Sequence, residues 1–182
     1  MQNIKMRVTG GKYVRRNINY SLDLKDIRPS KDIARQGLFN ALGGDLKDKT
    51  ILDLFAGTGA LGIEALSRGA KEATFVDLSK RAVELIKANT IYVEEKINVL
   101  MLDYKSFLTT CRPQSYEVLF LDPPYHLDVV KIFNDVSDAQ IMAKNAIIII
   151  ETDKALTLDI ENAKIRSYKY GITHITIIWR TL

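Results

Sequence analysis

The stretch that decides the fold of this chain is ILDLFAGTGALG, residues 51–62. It reads as an apolar strand, a glycine turn and the start of a helix. The spacing of Gly57, Gly59 and Gly62 fits the Gly-x-Gly-x-x-Gly turn, in which glycines let a ligand approach the backbone closely. Asp77 follows 20 residues after Gly57, where such folds place an acid that binds ribose hydroxyls. The pattern predicts a nucleotide-binding α/β fold, and by itself it does not distinguish NAD from S-adenosylmethionine.

Strand-like and helical patterns alternate from Thr50 to the end of the chain. The strand-like runs are residues 51–54, 73–76, 97–100, 117–121, 146–150 and 172–179. The helical patterns between them are residues 60–68, 80–89, 104–109 and 127–136. Near-continuous apolar strands that alternate with helices are typical of a parallel sheet covered on both faces. We therefore expect a Rossmann-like, doubly wound sheet of seven strands, mostly parallel, in which a final hairpin over residues 165–179 inserts one antiparallel strand.

The segment before Thr50 has a different pattern and a strong positive charge. Residues 4–9 and 13–17 flank Gly10 and Gly11, which predicts a small β-hairpin. Ser30 is a candidate cap for a helix that ends near Leu42. Residues 1–50 contain eleven Lys or Arg and five Asp or Glu, although the whole chain has a net charge of only +4. We divide the chain into a basic extension, 1–44, and a nucleotide-binding domain, 45–182, and the charge favours a nucleic-acid surface over ordinary solvated charge.

Composition excludes several other classes of protein. At 47% hydrophobic and 26% charged residues the chain is typical of a globular domain. Its one cysteine, Cys111, cannot form an internal disulfide, and the histidines lack metal-ligand spacing, so we expect no metal site. No apolar run approaches the roughly 20 residues of a membrane span, and no signal peptide is apparent. We expect a cytoplasmic protein, monomeric and without membrane contact.

Aspartates stand at the ends of four successive predicted strands: Asp53, Asp77, Asp103 and Asp122. Ligands of such sheets bind beyond the carboxyl ends of the strands. A buried carboxylate at Asp53 needs a cationic partner, which the ammonium of a methionine moiety supplies and a pyrophosphate does not. Asp103 is placed to accept from an adenine amino group. This set favours S-adenosylmethionine, and the alternative role for any one of the four is a helix N-cap.

The sequence Asp122-Pro123-Pro124-Tyr125 follows the apolar run 118–121. A carboxylate and the Pro123 carbonyl can accept both N–H bonds of an exocyclic base amine, and Tyr125 can stack on the base. The prolines fix φ and so fix where their carbonyls point. The structural alternative is a tight turn with a buried tyrosine.

The sequence resembles the bacterial small-subunit rRNA guanine-N2 methyltransferases of the RsmD type over nearly its whole length. The shared segments are MRVTGGK at 6–12, RPS at 28–30 with Arg35 and LFN at 38–40, LDLFAGTGALGIEALSRGA at 52–70, VD at 76–77 and DPPY at 122–125. The chain departs from the family pattern at Ile33, where a second arginine is usual, and at Gly37, a weak helix former.

The resemblance implies a 16S rRNA (guanine-N2)-methyltransferase that uses S-adenosyl-L-methionine and acts on free rRNA or on a small-subunit particle. We expect the catalytic turn to be Asp122, Pro123, Pro124 and Tyr125. We expect the cofactor to bind at Asp53, Phe55, Ala56, Gly57, Thr58, Gly59, Asp77, Leu78, Asp103 and Tyr104. We expect RNA to bind at Arg7, Lys12, Arg15, Arg16, Arg28, Lys31 and Arg35.

Three other functions remain open at this point. A DNA adenine-N6 or other base-amino methyltransferase can use the same four-residue turn, although the chain has little room for a separate target-recognition region. An NAD-dependent dehydrogenase leaves that turn without a role. A non-catalytic RNA-binding protein needs only the basic segment, and it leaves the glycines and the four acids unexplained.

Overall fold

The structure, a computed structural model, describes residues 6–20 and 29–180, with side chains from residue 33 onwards in the second range. The nine strands are β1 Met6–Arg7, β2 Asn17–Ile18, β3 Thr50–Asp53, β4 Glu72–Asp77, β5 Lys96–Met101, β6 Tyr116–Leu121, β7 Met142–Thr152, β8 Ala163–Tyr170 and β9 Thr173–Arg180. The five helices are α1 Pro29–Ala41, α2 Ala60–Ser67, α3 Lys80–Asn89, α4 Tyr104–Thr110 and α5 Val129–Asp138. No helix among these is long and apolar enough to cross a membrane.

The predicted doubly wound sheet is confirmed. Seven strands form one sheet in the order β5-β4-β3-β6-β7-β9-β8. β9 is its antiparallel strand, and it pairs with β7 on one side and with β8 on the other. The order reverses between β3 and β6, whose carboxyl ends therefore flank the crevice where such sheets bind ligands.

Two hydrophobic clusters cover the two faces of the sheet because successive strand residues point to opposite sides. Ile51 packs into the cluster with α1, α2 and α3, whereas its neighbour Leu52 packs into the cluster with α4 and α5. Both side chains are fully buried. Burial on both faces explains why these strands are continuous apolar runs in the sequence.

β7 is longer than its apolar run predicted. It begins at Met142 and not at Ala146, and the register with β6 shifts between Tyr116 and Val118. Lys144 and Asn145, in this irregular part, are exposed. A bulge that turns polar residues outward hides the beginning of a strand from a hydrophobicity pattern.

The N-terminal hairpin is confirmed, but its second strand lies later than predicted. β1 pairs with β2, Met6 opposite Ile18, so residues 13–16 belong to the connection. Tyr13 is buried there: its amide donates to Ser67 Oγ and its hydroxyl to Glu95. Arg15 has a φ of 69°, which no strand residue adopts. The hydrogen bonds of Tyr13 therefore hold residues 13–16 in a longer connection than the tight turn predicted from Gly10 and Gly11.

A buried ionic cluster fastens the extension to α2. Glu64 is fully buried and accepts from the backbone amide and hydroxyl of Thr9, at 2.8 and 2.7 Å. Arg68 donates to it at 2.9 Å, and Arg35 Nε lies 3.5 Å from its other oxygen. Arg35 also donates to the carbonyl of Arg7. A buried charge is tolerated only when it is paired and hydrogen-bonded, so these contacts hold β1 and α1 against α2.

Candidate active site

A cavity of about 1050 Å³ opens at the carboxyl ends of the central strands. It contains residues from the glycine turn, from the ends of β3, β4, β5, β6 and β7, and from the extension. Its lining residues are Met6, Arg35, Asp53, Leu54, Phe55, Ala56, Gly57, Thr58, Ala60, Leu61, Asp77, Leu78, Leu102, Asp103, Tyr104, Asp122, Pro123, Pro124, Tyr125, His126, Leu127 and Glu151. The fold thus brings the predicted catalytic turn and nearly all the predicted cofactor residues to one site; Gly59 lies in the same turn.

The glycine turn is held in place by Asp77. The amide of Gly57 donates to Asp77 Oδ2 and the amide of Ser79 to Oδ1, both at 2.8 Å. Gly57 and Gly59 have φ values of 54° and 79°, which glycine adopts without strain. An added Cβ at Gly62 would lie 2.3 Å from the buried ring of Phe75, so α2 packs on β4 only with glycine there. The spacing of the three glycines therefore follows from two turn conformations and one close contact.

Asp53 is a buried carboxyl group in the cavity wall. It is 1% exposed, and the amide of Gly62 donates to it at 3.1 Å. Burial raises the pKa of Asp53 to about 7; the Gly62 hydrogen bond opposes this, and the nearby Asp122 and Asp77 add to it. Among the described residues no Lys or Arg forms an ion pair with it. A cationic group that entered this cavity would lower the free-energy cost of burying the ionised carboxylate.

The part of the cavity near the ends of β4 and β5 has an apolar slot formed by Leu78, Phe55 and Tyr104. Leu78 is 73% exposed, and the rings of Phe55 and Tyr104 lie 5.6 Å apart. The Tyr104 hydroxyl donates to Asp135 at 2.9 Å, and burial, followed by this contact, raises the pKa of Tyr104 to about 12. Exposed apolar side chains of this kind can stack against a flat base.

Asp103 takes the capping role that was its alternative. Its Oδ1 accepts from the backbone amide of Ser106 at 3.0 Å, which makes it the N-cap of α4. Hydrogen bonds from Ser106 lower the pKa of this carboxyl group. Asp103 still lines the cavity, so capping and ligand contact can be combined in one side chain.

The Asp122–Tyr125 turn lies at the end of β6. Asp122 is half-buried and Pro123 is buried, whereas Tyr125 is 48% exposed. The amide of Leu127 donates to the Pro124 carbonyl at 2.9 Å, which closes the turn. The alternative interpretation of this segment was a tight turn with a buried tyrosine. Tyr125 does not fit it, because the residue is half exposed and lines the cavity.

Two charged cavity residues were not expected there. Glu151, at the end of β7, follows an apolar run in the same way as Asp122, and this signal could have identified it. Arg35 was expected to bind RNA, but it is 4% exposed and ion-paired with Glu64. Packing of α1 on the sheet turns this arginine inward, which helical spacing alone does not reveal.

The remaining predicted RNA contacts lie near the outer surface of the extension. Arg7, Arg15 and Arg16 are exposed, and Arg16 lies over the ring of Tyr92 at 5.2 Å. Lys12 is exposed and pairs with Glu94 and Glu95 at 2.9 and 3.0 Å, which raises its pKa. Arg28 and the Lys31 side chain lie outside the described residues.

Comparison with known proteins identifies the fold and the class of protein. Residues 6–179 match a family described as "Conserved hypothetical protein 95". A solved structure described as the putative methyltransferase yhhF from Escherichia coli superimposes with a TM-score of 0.84 at 28% identity, over 97% of this chain and 98% of the other. The fold and site thus define a Rossmann-like methyltransferase.

The relatives of known name show which family of methyltransferases the chain belongs to. The chain is 32% identical over 158 residues to ribosomal RNA small subunit methyltransferase D of Buchnera aphidicola, covering 84% of this chain and 81% of the relative. It is 34% identical over 152 residues to the Escherichia coli protein of the same name, covering 82% and 75%. The chain belongs to the ribosomal RNA small subunit methyltransferase D family.

Proposed function

We propose that this protein transfers a methyl group from S-adenosyl-L-methionine to the exocyclic N2 amine of a guanine in 16S rRNA. One observation carries the proposal: the Asp122–Tyr125 turn borders the same cavity as Asp53 and Asp77. A cofactor and a base amine can therefore meet in one cavity. The family to which the chain belongs supports the choice of small-subunit rRNA.

The cavity residues fit S-adenosylmethionine by their chemistry. Asp53, buried without a cation among the described residues, suits the ammonium of the methionine moiety. Asp77 suits the ribose hydroxyls, and the slot of Leu78, Phe55 and Tyr104 suits the adenine ring. When bound, the cofactor supplies an electrophilic methyl group. An NAD pyrophosphate would instead be repelled by Asp53.

The Asp122–Tyr125 turn would prepare the amine for reaction. A base amine is a poor nucleophile because its lone pair is delocalised into the ring. The Asp122 carboxylate and the Pro123 carbonyl accept its N–H bonds, which orients the amine and stabilises the positive charge that develops on it. Tyr125, half exposed at the rim, stacks on a base that has left its helix or comes from a loop.

The basic extension would bind the RNA backbone. Arg7, Arg15 and Arg16 are exposed cations, and Arg7 directly follows the cavity residue Met6. Phosphate contacts position a nucleic acid, and base contacts select the target. A protein that acts on rRNA in this way works in the bacterial cytoplasm, and we propose that it does so as a monomer.

Two measurements test the proposed function. Mass spectrometric mapping of 16S rRNA nucleosides, from cells with and without the gene, should show loss of one N2-methylguanosine. Calorimetry with S-adenosylhomocysteine and with NAD should give binding only for the first. Tight NAD binding, or loss of a methylated adenine in DNA instead, would overturn the proposal.

A further inference from the structure

Glu151 is the cavity carboxylate that the chemistry above leaves unused. It stands near the end of β7, the strand next to β6 in the sheet. Leu121 of β6 pairs with Ile150 of β7, so Asp122 and Glu151 are the next residues on two neighbouring parallel strands. Both line the cavity. The two residues therefore lie side by side at the carboxyl ends of the strands.

The position of Glu151 separates it from the cofactor. Asp53 and Asp77 belong to β3 and β4, and β6 lies between those strands and β7. With neighbouring strands about 4.8 Å apart, the backbone of Glu151 is roughly two strand spacings from that of Asp53. Glu151 is thus on the far side of Asp122, where the target base enters in the proposed function.

The surroundings of Glu151 favour a specific hydrogen bond over a solvated charge. The residue is half-buried, and its Oε1 atom is shielded from solvent. In the register of β7 with β9, Glu151 lies opposite the buried Ile175. A hydrogen bond to a carboxylate in such a place is shorter and stronger than one between neutral groups.

Guanine and adenine differ in the atom next to the reactive amine. Guanine presents N2–H and N1–H beside each other, both donors. Adenine presents its amine beside a bare N1, an acceptor. Two adjacent carboxylates match two adjacent donors, and a carboxylate that faces a bare N1 is repelled. Resting on the proposed function, we infer that Glu151 accepts the N1–H of the target guanine and excludes adenine-like bases.

The test uses a base that keeps the N2 amine and lacks the N1 proton. The methylated nucleotide is mapped first. 16S rRNA is then assembled by ligation with either guanine or 2,6-diaminopurine at that position. If the free RNA is inactive as a substrate, it is reconstituted into small subunits. The diaminopurine keeps the N2 amine but has a bare N1 and an amine in place of O6, so the comparison with the Glu151 variant assigns the effect to N1. The wild-type enzyme should prefer guanine by about 100-fold in kcat/KM, because a site built for a donor rejects an analogue that lacks it.

The Glu151→Gln variant should lose this preference. Its amide can donate to a bare N1 as well as accept from N1–H, so the ratio of the two kcat/KM values should fall to within about fivefold. Asp153→Asn is the matched control, an exposed acid two residues away and outside the cavity, and it should keep the wild-type ratio. Affinity for S-adenosylhomocysteine should stay within about twofold in both variants, since Glu151 lies beyond Asp122.

Each outcome decides a different claim. An unchanged ratio in Glu151→Gln, or a wild-type enzyme that does not discriminate between the two bases, overturns the role of Glu151 and leaves the proposed function intact. The wild-type measurement stands even if the variant fails to fold. If wild-type protein binds S-adenosylhomocysteine and methylates no guanine at N2, the proposed function itself fails.

Discussion

At the scale of single residues, Asp53 is a buried carboxyl group that the proposed function pairs with a cationic ligand. It is 1% exposed, and burial raises its pKa from 3.8 to about 7. The cost of ionising it is offset when an ammonium binds beside it. In the proposed function, the burial of Asp53 therefore makes cofactor binding depend on pH.

We predict that S-adenosylhomocysteine binds more tightly as pH rises from about 6 to 8, by roughly tenfold, because the ligand selects the ionised Asp53. Calorimetry across this range measures the effect. Asp53→Asn should bind weakly and with little pH dependence. An equally steep profile in that variant would assign the titration to another group.

The same raised pKa has a consequence for stability. Because the folded-state pKa lies above the ordinary value, Asp53 stabilises the cofactor-free fold below about pH 3.8, and this contribution is lost as pH rises through about 7. Asp53→Asn should therefore gain stability relative to the wild type at pH 8, measured by denaturant unfolding. A variant less stable than the wild type at that pH would contradict the assignment.

Asp122 and Tyr125 are predicted to act on the base and not on the cofactor. Asp122→Ala should abolish methylation while S-adenosylhomocysteine affinity stays within a few-fold. Tyr125→Ala should cost about 1–3 kcal/mol in kcat/KM through lost stacking, whereas Tyr125→Phe should keep most activity. Single-turnover methylation with parallel calorimetry separates the two steps. Near-normal turnover by Asp122→Ala would make the turn merely structural.

At the scale of elements, Gly37 explains how α1 lies against the sheet. Glycine is a poor helix former, yet an added Cβ here would come within 2.4 Å of the Tyr170 ring on β8. Tyr170 is half-buried and stacks with Tyr168 at 6.5 Å. The local cost of glycine is thus offset by a close contact between α1 and the edge strand.

We predict that Gly37→Ala destabilises the protein by about 1 kcal/mol or more, although alanine is the better helix former by a similar amount. Chemical denaturation measures the change. In a Tyr170→Ala background the same substitution should be neutral or stabilising, because the obstructing ring is gone. Stabilisation by Gly37→Ala alone would mean that Tyr170 moves aside freely.

At the scale of the whole molecule, the extension and the sheet share one core. Met6, Val8 and Leu38 pack in the same cluster as Ile51 and Ile63. The buried Glu64 cluster adds polar contacts across that boundary. The division into 1–44 and 45–182 stays a functional prediction, with RNA contact in the first part and chemistry in the second.

Replacement of Arg7, Arg15 and Arg16 by Gln should weaken RNA binding and flatten its salt dependence, because fewer counterions are released. Cofactor affinity should hardly change. The matched control removes three exposed charges elsewhere, Lys71, Lys87 and Lys144, and should keep the wild-type slope. Affinities at several salt concentrations give the comparison, and an equal slope in both triple variants would move the RNA surface away from the extension.

The sequence by itself determined the alternation of strands and helices, the glycine turn, the acids at strand ends and the Asp122–Tyr125 turn. These are local signals: apolar periodicity, backbone conformations that only some residues adopt, and short motifs. Only the tertiary structure decided that Arg35 points inward to Glu64, that Gly37 makes room for Tyr170, and that Glu151 stands beside Asp122. Those facts depend on which strands become neighbours and how α1 packs on them, and contacts between distant parts of the chain leave no periodic trace in the sequence.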